Sequence, residues 1–353
     1  MKSIYFYLPE YPNSPTGGLK YHNIVFEYFK QKCQNVYLAG TGKFSEYSSK
    51  NKFFKILFGL YCSVKIPKNS VIFLSNAAFL HFALPLFLNR IYKNHYYFMI
   101  VHHLSVNETD DFLRRNVEKF FVKNANKIIA ISETTKKDLY ANEFTTENDI
   151  PIIPPGLDNI KYDFTDKRSL DGKFRLLAVS TIEERKGLIY CIQALKELEN
   201  SSIELDIIGE ISEDNLYYQM LQKKIRDLGL ERKIFFRGRV SKAELENYFR
   251  NAEAFIFPTL WEGYGMVIAE AMAYALPVIA SGIPASKELI IDGTDGLLFE
   301  PGNIKDLVSK INFLTKDRTK YKKISVNAYL KSKTFPTWEQ TSEKLFDIYK
   351  SIE

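Results

Sequence analysis

Short runs of apolar residues alternate along the chain with longer stretches in which apolar positions recur at a helical period. Two series of such runs occur, SIYFYL, NVYLAG, VIFLS, YYFMIVHH, KIIAIS and IPIIPPG, and then FRLLAVS, IELDIIG, KIFFRG, AEAFIFP, PVIAS and GLLFE. Runs that are apolar at successive positions and separated by helices are typical of parallel strands covered on both faces. The pattern therefore predicts an α/β protein with two doubly wound, Rossmann-like sheets.

A stretch rich in Pro, Gly and Asp separates the two series. Residues 154–173 read PPGLDNIKYDFTDKRSLDGK, a composition typical of a linker. We predict one domain over residues 1–157, a second over 158–335, and one more helix after the proline at 336, over 336–353. Because ligands of doubly wound sheets bind beyond the carboxyl ends of the strands, the residues that follow each strand are the candidates for a site.

Composition places the chain among ordinary globular proteins. It has 353 residues, 46% of them hydrophobic and 25% charged, which suits two domains better than one. Three widely spaced cysteines, Cys33, Cys62 and Cys191, form neither a disulfide framework nor a metal motif, which favours a reducing compartment. The start lacks a signal-peptide pattern, and no run of about 18 uninterrupted apolar residues could span a bilayer. We therefore expect a cytoplasmic protein.

The positive charge is concentrated in the first half of the chain. Of the formal net charge of +6, residues 1–154 contribute 19 Lys and Arg against 12 Asp and Glu, and the remainder is nearly balanced. No dense basic run or nucleic-acid motif accompanies this excess, so nucleic acid is not expected as a partner. An anionic membrane surface or an acidic acceptor fits the distribution better.

The stretch PTLWEGYGMVIAEAMAYALPVIA, residues 258–280, carries the candidate chemistry. A buried strand ends at Pro258, and glycines follow where a helix begins, so backbone amides there could bind an anion. Those amides belong to Gly265, Met266 and Val267. Glu262 could reach hydroxyls beyond that anion, and Glu270 could bind a vicinal diol, which together describe a nucleotide sugar. In the alternative interpretation, Glu270 pairs within its helix and Glu262 is solvated.

An ordered set of motifs decides between these interpretations. Two glutamates eight positions apart in EGYGMVIAEAMA are accompanied by PTGGLKYH, VHHL, ANKIIAISETTKKDL, IPPGLD, LLAVSTIEERKGL, LDIIGE, IFFRGRV, PVIASGIPASKELI and DGLLFEPGN. The chain resembles, over nearly its full length, the retaining glycosyltransferases of the GT-B fold, family 4 (GT4). The resemblance implies that two Rossmann-like domains face each other across a cleft, with acceptor bound by the first and nucleotide sugar by the second. FPTWEQ…IY resembles the final helix that crosses back onto the first domain.

The resemblance also assigns roles to individual residues. Lys186 matches the lysine that neutralises the donor diphosphate, and a fixed cation there would stabilise charge on the leaving group. Gly17 and Gly18 would close over the same phosphates. Glu270 would hold the ribose diol and Glu262 the hydroxyls of the donor sugar.

The base of the nucleotide would meet the backbone near Arg239 and Val240. A histidine in this family touches the donor sugar, and we assign His102, because it directly follows an apolar run, with His103 as the second candidate. No residue is an obvious covalent nucleophile. This agrees with the same-face attack the resemblance implies, in which the leaving phosphate deprotonates the acceptor.

Two positions depart from the family pattern. Thr181 stands where the family usually has an arginine, five positions before Lys186, and Arg185 either supplies the missing guanidinium or is a surface residue. Ala275 replaces a common glycine, for which we expect only a local packing effect. Because no D-x-D triplet occurs, we expect no metal requirement and no cofactor other than the donor itself.

Three other functions are compatible with the sequence. A GT-B scaffold also serves nucleotide-sugar epimerases and glycosidic phosphorylases, and the chain could be a non-catalytic module that binds sugar nucleotides. We expect instead a hexosyltransferase acting in cell-surface polysaccharide or glycoconjugate synthesis, on a glycan or lipid-linked acceptor. Phosphorylases of this fold carry pyridoxal on a lysine, and epimerases form no glycoside, so both are distinguishable by experiment.

One stretch of the first half predicts an interfacial helix. Residues 48–68, SSKNKFFKILFGLYCSVKIPK, place an apolar face between lysines at helical spacing. The lysines are Lys50, Lys52, Lys55, Lys65 and Lys68, and the apolar positions are Phe53, Phe54, Leu57, Phe58 and Tyr61. This helix either docks peripherally on the anionic inner face of a membrane or packs its apolar face into the core.

Overall fold

The computed structural model describes residues 2–8, 16–39, 52–92, 94–107, 111–146, 149–162, 172–198 and 202–352. The chain divides into two compact units. Unit 1 comprises residues 1–156 and 336–353, and unit 2 comprises residues 157–335. Each unit is a parallel sheet wound with helices, so the predicted fold class is confirmed. Residues 163–171 of the expected linker lie outside the described residues.

Unit 1 contains a five-stranded sheet in the order β2-β1-β3-β4-β5. The strands all run parallel: β1 Ile4–Tyr7, β2 Val36–Ala39, β3 Ser70–Ser75, β4 His95–Val101 and β5 Lys127–Ala130. The described helices are α1 Gly17–Lys32, α2 Lys52–Lys65, α3 Phe79–Tyr92, α4 Phe112–Lys123, α5 Glu133–Ala141 and α13 Trp338–Lys350.

Successive side chains along each strand of unit 1 point to opposite faces of the sheet and pack into two cores. On one face, Phe6, Phe73 and Phe98 stack across three neighbouring strands with ring centroids 4.6 Å apart. Helices α1 and α13 cover this face, where the rings of Phe29 and Phe346 meet at 5.0 Å. On the other face, residues of α2, α3 and α4 pack against the intervening strand positions. Burial on both faces explains why these strands appear in the sequence as continuous apolar runs.

One predicted strand of the first series is wrong. IPIIPPG forms only an isolated bridge between Ala130 and Ile152. Pro151, Pro154 and Pro155 have no N–H to donate, so the segment cannot continue a hydrogen-bonded ladder.

Unit 2 contains a six-stranded sheet in the order β11-β10-β9-β6-β7-β8. These parallel strands are β6 Phe174–Val179, β7 Ile203–Ile208, β8 Ile234–Gly238, β9 Ala254–Phe257, β10 Val278–Ser281 and β11 Leu297–Phe299. The described helices are α6 Leu188–Glu197, α7 Leu216–Leu228, α8 Lys242–Asn251, α9 Met266–Ala273, α10 Pro284–Leu289, α11 Ile304–Lys316 and α12 Arg318–Ser332.

The strand order reverses once in each sheet. In unit 2 the chain proceeds from β6 outward through β7 and β8, and then returns to β9 on the other side of β6. In unit 1 the reversal lies between β1 and β3. The loops beyond the carboxyl ends diverge at such a reversal and leave a crevice that binds ligands.

Ala275 affects the backbone and not only the packing. It ends α9 with a φ of 54°, in the left-handed region. The amides of Ala275 and Leu276 donate to Met272 and Ala271, the pattern of a glycine-type helix end. An L residue in this region costs roughly 1–2 kcal/mol, so the expectation of a packing effect alone was wrong.

In the part of the chain that the structure describes, every helix is too short or too polar to cross a bilayer. All three cysteines are free thiols.

Candidate functional site

The predicted donor-site residues of unit 2 lie in the segments after β6, β8 and β9, at the carboxyl edge of the sheet and at the start of α9. Lys186 belongs to the loop after β6, and Glu262 to the loop after β9. Because β6 and β9 are neighbours at the strand-order reversal, these two loops border the crevice of this unit.

Two backbone contacts fix these loops against each other. Gly187 has a φ of 65°, and a Cβ at this position would lie 2.1 Å from the carbonyl oxygen of Pro258. The amide of Leu260 donates to the carbonyl of Arg185 at 2.8 Å. The side chains that follow in both loops are therefore held at a defined separation.

A compact group of charges lies where the loops meet. The Lys186 ammonium donates to the Glu262 carboxylate, and both side chains are largely buried, at 11% and 18% exposure. The Arg185 guanidinium lies 3.6 Å from the same carboxylate oxygen and 2.8 Å from Glu183, and it stacks 4.8 Å above the ring of Trp261. Two cations thus converge at one point, each paired with a carboxylate.

The start of α9 supplies backbone donors next to this group. Gly265 is its N-cap, with a φ of 90° and no side-chain cap. The first amides of a helix lack intrahelical acceptors and carry the positive end of its dipole. The amide of Gly263 contacts Glu262 at 3.3 Å. Met266, Val267 and Glu270 are half-buried on α9.

The predicted base-contacting segment lies on the other side of β6. Gly238 has a φ of 71° and accepts a hydrogen bond from the amide of Gly209 at 3.1 Å, beside a register shift between β7 and β8. Arg239 is exposed and Val240 is half-buried. This segment shares the carboxyl edge with the charged group.

In unit 1, the glycine pair and His102 lie together at the carboxyl edge of the sheet, after β1 and β4. Thr16 caps α1 by accepting from Leu19 at 3.4 Å, so Gly17 and Gly18 are the first two helical residues. A Cβ on Gly18 would lie 3.5 Å from the imidazole of His102. The start of α1 therefore lies directly against this ring.

The environment of His102 is apolar and aromatic. Its ring lies 5.1 Å from that of His22 and 5.5 Å from that of Tyr21. Burial, and then the neighbouring His22 and His103, lowers the pKa of His102 well below its ordinary value. Burial also lowers the pKa of His22 to about 4. Both imidazoles are therefore neutral at pH 7, and His102 can offer a hydrogen bond but not a charge.

This burial makes a prediction about acid sensitivity. Between pH 6.5 and about 4, the unfolded chain binds a proton at His22 that the folded chain does not, so stability falls as the pH falls. From pH 7 to pH 5 this contribution amounts to about 2 kcal/mol. His22→Phe keeps an aromatic ring but cannot titrate, so its urea unfolding should lose about 2 kcal/mol less than wild type over this range. Equal acid sensitivity in the two proteins would contradict the burial argument.

A polar network that sequence reasoning missed holds the backbone around His102. Asn76, at the end of β3, accepts from the amide of His102 at 3.1 Å and donates to the carbonyl of His103. Glu118, on α4, accepts from Asn76 at 2.8 Å and from the backbone amide of Ser105 at 2.8 Å. In the sequence, only an acidic residue on the apolar face of a helix hinted at this role.

Two further observations concern metal ligands and a cavity in unit 1. Among the described residues, no three or more His, Cys, Asp or Glu side chains are grouped to hold a metal ion. A cavity of about 910 Å³ among the described residues is lined by Asn94, Asn124, Asn126 and neighbouring residues. This amino-edge cavity lies where the strands of unit 1 begin, away from the predicted residues, so its size does not mark the site.

Comparison with known proteins identifies the part of the chain that forms unit 2. Residues 160–331 match the family model of glycosyl transferases group 1. The chain is 29% identical over 261 residues to an uncharacterized glycosyltransferase of Methanocaldococcus jannaschii, covering 72% of this chain and 69% of that protein. It is 27% identical over 216 residues to the capsular polysaccharide biosynthesis glycosyltransferase CapM of Staphylococcus aureus, covering 58% of this chain and 56% of CapM.

Solved structures share the whole fold. Sucrose-phosphate synthase of Thermosynechococcus elongatus superposes with a TM-score of 0.83 at 18% identity, over 100% of this chain and 99% of that one. HepE of Anabaena, solved in complex with UDP and glucose, gives a TM-score of 0.79 at 18% identity, over 99% and 100%. Residues 160–331 thus match the glycosyl transferases group 1 family, within a chain that has the GT-B fold.

Proposed function

We propose that this protein is a retaining glycosyltransferase of the GT4 type, which transfers a hexose from a nucleoside-diphosphate sugar to a glycan or lipid-linked acceptor. The observation that carries the proposal is the convergence of Lys186, Arg185 and the start of α9 at the carboxyl edge of the unit 2 sheet. Two fixed cations and the first amides of a helix would together hold a diphosphate.

The remaining unit 2 residues take the nucleoside and the sugar. Glu270, half-buried in the second turn of α9, would accept both ribose hydroxyls. The backbone at Arg239 and Val240 would meet the base. Glu262, next to the cations, would bind hydroxyls of the donor sugar. Arg185 would replace the arginine that the family usually has at the position of Thr181, since its guanidinium already lies beside Lys186 and Glu262.

In unit 1, Gly17 and Gly18 would contact the phosphates, and neutral His102 would contact the donor sugar. During transfer, the bond between the anomeric carbon and the phosphate oxygen breaks as the acceptor oxygen bonds to the same face of that carbon. The acceptor proton passes to the leaving phosphate oxygen, so no protein nucleophile is needed. Lys186 and the α9 amides would stabilise the negative charge that the leaving diphosphate gains.

The names of similar proteins support a donor and a pathway class. HepE was solved with UDP and glucose, which makes UDP-glucose the first donor to test. CapM is named for capsular polysaccharide biosynthesis. We therefore place the proposed activity in the synthesis of cell-surface polysaccharide or glycoconjugate.

A donor panel tests the proposal. UDP-, GDP-, dTDP- and ADP-linked hexoses are screened for protection of the chain against heat unfolding, and then for release of nucleoside diphosphate. We expect one base class to protect and one donor to be hydrolysed slowly without acceptor. Protection by none would contradict the proposal. Conversion of the donor to an isomeric sugar nucleotide would indicate an epimerase instead, and pyridoxal absorbance a phosphorylase.

Metal independence is a separate prediction. If Lys186, Arg185 and the helix amides neutralise the charge of the donor diphosphate, excess EDTA should leave turnover unchanged within about twofold. Removal of an essential electrostatic group would instead lower turnover by roughly 10²-fold or more. Turnover is measured as release of nucleoside diphosphate with and without EDTA, and then with added Mg²⁺. Loss of activity that Mg²⁺ restores would contradict the charge assignment.

We also propose that unit 1 docks on an anionic membrane surface. Helix α2 buries Phe58 and Cys62 in the core but exposes Phe54, Leu57, Tyr61 and Val64 at helical spacing. Phe58, one of the residues of the apolar face predicted from the sequence, thus packs into the core, whereas Phe54, Leu57 and Tyr61 of that face are exposed. Helix α3 similarly exposes Leu84, Phe87 and Ile91. Residues 48–51 and the side chains of Lys52 and Phe53 lie outside the described residues.

Lysines accompany these two apolar stripes, as in interfacial helices. Lys65 and Lys68 are exposed at the end of α2, within the half of the chain that carries the excess positive charge. Together the stripes and lysines match an anionic bilayer better than a neutral one. An acceptor linked to a lipid would then be presented at the same surface.

Vesicle sedimentation at low salt tests this proposal. The chain should bind vesicles containing anionic lipid more tightly than neutral ones, and Val64→Glu or Ile91→Glu should weaken that binding by roughly tenfold. Leu216→Glu is the matched control, because Leu216 is about as exposed as Val64, at 79% against 83%, but belongs to unit 2. Equal binding to both vesicle types would contradict the proposal.

A further inference from the structure

Glu118 is a buried carboxylate with no role in the proposed transfer. It lies on α4 and is 2% exposed. Its two oxygens accept from different donors: Oε1 from the Asn76 amide, and Oε2 from both the backbone amide and the hydroxyl of Ser105. Burying a carboxylate is costly unless it is hydrogen-bonded, so these donors must be held in place for the unit to be stable.

The Asn76 side chain converts this anchor into a constraint on His102. Its Oδ1 accepts from the amide of His102, and its Nδ2 donates both to the carbonyl of His103 and to Glu118. One amide group thus spans the peptide units on either side of the His102–His103 turn. Thr135 adds a donor to the carbonyl of His102 at 3.3 Å.

Ser105 fixes the other end of the same turn. Glu118 therefore holds residues 102–105 by hydrogen bonds at two points, through Asn76 at the histidines and directly at Ser105. By contrast, among the described residues neither ring nitrogen of His22 nor the Nε2 of His102 has a hydrogen-bond partner, so the imidazole of His102 is oriented by its backbone and by ring packing. The backbone anchor is consequently one of two constraints on the position of this ring.

We propose that Glu118 is a positioning residue, which fixes His102 for contact with the donor sugar through Asn76 and Ser105. This inference rests on the proposed function. Glutamine at 118 would have the same shape but would place an NH₂ group against one of two N–H donors, Asn76 Nδ2 or Ser105 N. The turn would then shift, and a displacement of about 1 Å can cost up to roughly 10²-fold in rate.

A double-mutant cycle separates positioning from general stability. The rate of donor hydrolysis is measured for wild type, Glu118→Gln, His102→Ala and the double variant, with the sugar nucleotide that protects best in the donor panel. Glu118→Gln should lower kcat by roughly tenfold or more. If Glu118 acts through His102, the double variant should be no slower than His102→Ala alone, within about twofold.

Two further variants keep the test decisive. Glu143→Gln changes an exposed glutamate of the same unit, which forms a surface ion pair with Lys119, and should leave kcat unchanged. Ser105→Ala removes one donor to Glu118 but retains its backbone amide, so it should give a smaller loss of kcat even if Glu118→Gln folds poorly. Affinity for the nucleoside diphosphate should be unaltered in all of them.

Each outcome assigns a failure to one hypothesis. If the rate losses caused by Glu118→Gln and His102→Ala multiply in the double variant, the positioning role is overturned. Unchanged kcat in both Glu118→Gln and Ser105→Ala would overturn it as well. A His102→Ala variant as active as wild type would instead remove His102 from the proposed function. Absence of donor hydrolysis by wild type would refute the proposed function itself.

Discussion

Replacing Lys186 by alanine should lower turnover of the sugar nucleotide by roughly 10²-fold or more, the effect of losing one essential electrostatic donor. The ammonium is largely buried and fixed by the contact between its loop and the loop after β9. In the proposed site it would therefore need little reorganisation to stabilise the charge on the leaving diphosphate. Loss of this lysine would also leave Glu262 beside the diphosphate without its closest cation, which would add repulsion to the lost attraction.

The measurement is release of nucleoside diphosphate by Lys186→Ala beside wild type and a control lysine. Lys196→Ala is the control, because Lys196 lies on α6 in the same unit and its exposed ammonium contacts only the carbonyl of Leu228 at 3.3 Å among the hydrogen bonds described for it. The control should retain wild-type turnover. If Lys186→Ala and Lys196→Ala behave alike, Lys186 is a structural ion-pair partner and not a donor to the diphosphate.

Glu262→Gln should reduce turnover and strengthen the binding of nucleoside diphosphate. The carboxylate is proposed to bind the donor sugar, whose ring gains positive character during transfer, so its contribution should be greatest in the transition state. Its hydrogen bond to Lys186 means that it also competes with phosphate for that cation. We expect turnover to fall by at least about tenfold and nucleoside diphosphate affinity to rise several-fold.

Glu270→Gln provides the contrast. A ribose contact changes little as the sugar leaves, so its loss should weaken nucleoside diphosphate binding and affect turnover less. Calorimetric titration of the two variants with the nucleoside diphosphate, beside steady-state kinetics, distinguishes the roles. If both variants bind the nucleotide more weakly and to the same extent, the two glutamates do not divide the work in this way.

Much of the fold follows from the sequence because strands buried on both faces must be apolar at successive positions. Phe6 and Tyr7 are adjacent in β1 and enter opposite cores, and both had to be large and apolar or aromatic. The failure at IPIIPPG has the opposite cause. Its apolar residues match a strand, but three prolines remove the donors that a ladder requires. Hydrophobicity alone therefore overcounts strands where the hydrogen-bonding capacity of the backbone is missing.

The side-chain contacts of the candidate site were less accessible. Lys186 and Glu262 are separated by 76 positions, and their pairing depends on β6 and β9 being neighbours in the sheet. Sequence spacing within each loop carries no record of that adjacency. The contact of Asn76 with the His102 turn likewise depends on the pairing of β3 with β4. Such contacts become visible only when the strand order is known.

Backbone conformation explains why Ala275 was misread. From the sequence, a methyl group in place of a hydrogen indicates a change in packing. The structure places the residue at the left-handed end of α9, where the same methyl group also strains the backbone. The residue type can be read from the sequence. The sign of its φ, on which the effect of the methyl group depends, is known only from the structure.

Hydrogen–deuterium exchange of the full chain, with and without the protecting sugar nucleotide, tests most directly whether the donor binds at the carboxyl edge of unit 2. We expect slower exchange on donor binding at residues 183–187 and 259–270, where Lys186, Glu262 and the start of α9 lie. Residues 230–234, where β8 begins at the opposite edge, should be unchanged. Unchanged exchange at 183–187 and 259–270, with protection instead around the amino-edge cavity at residues 94–97 and 124–126, would contradict the proposed site.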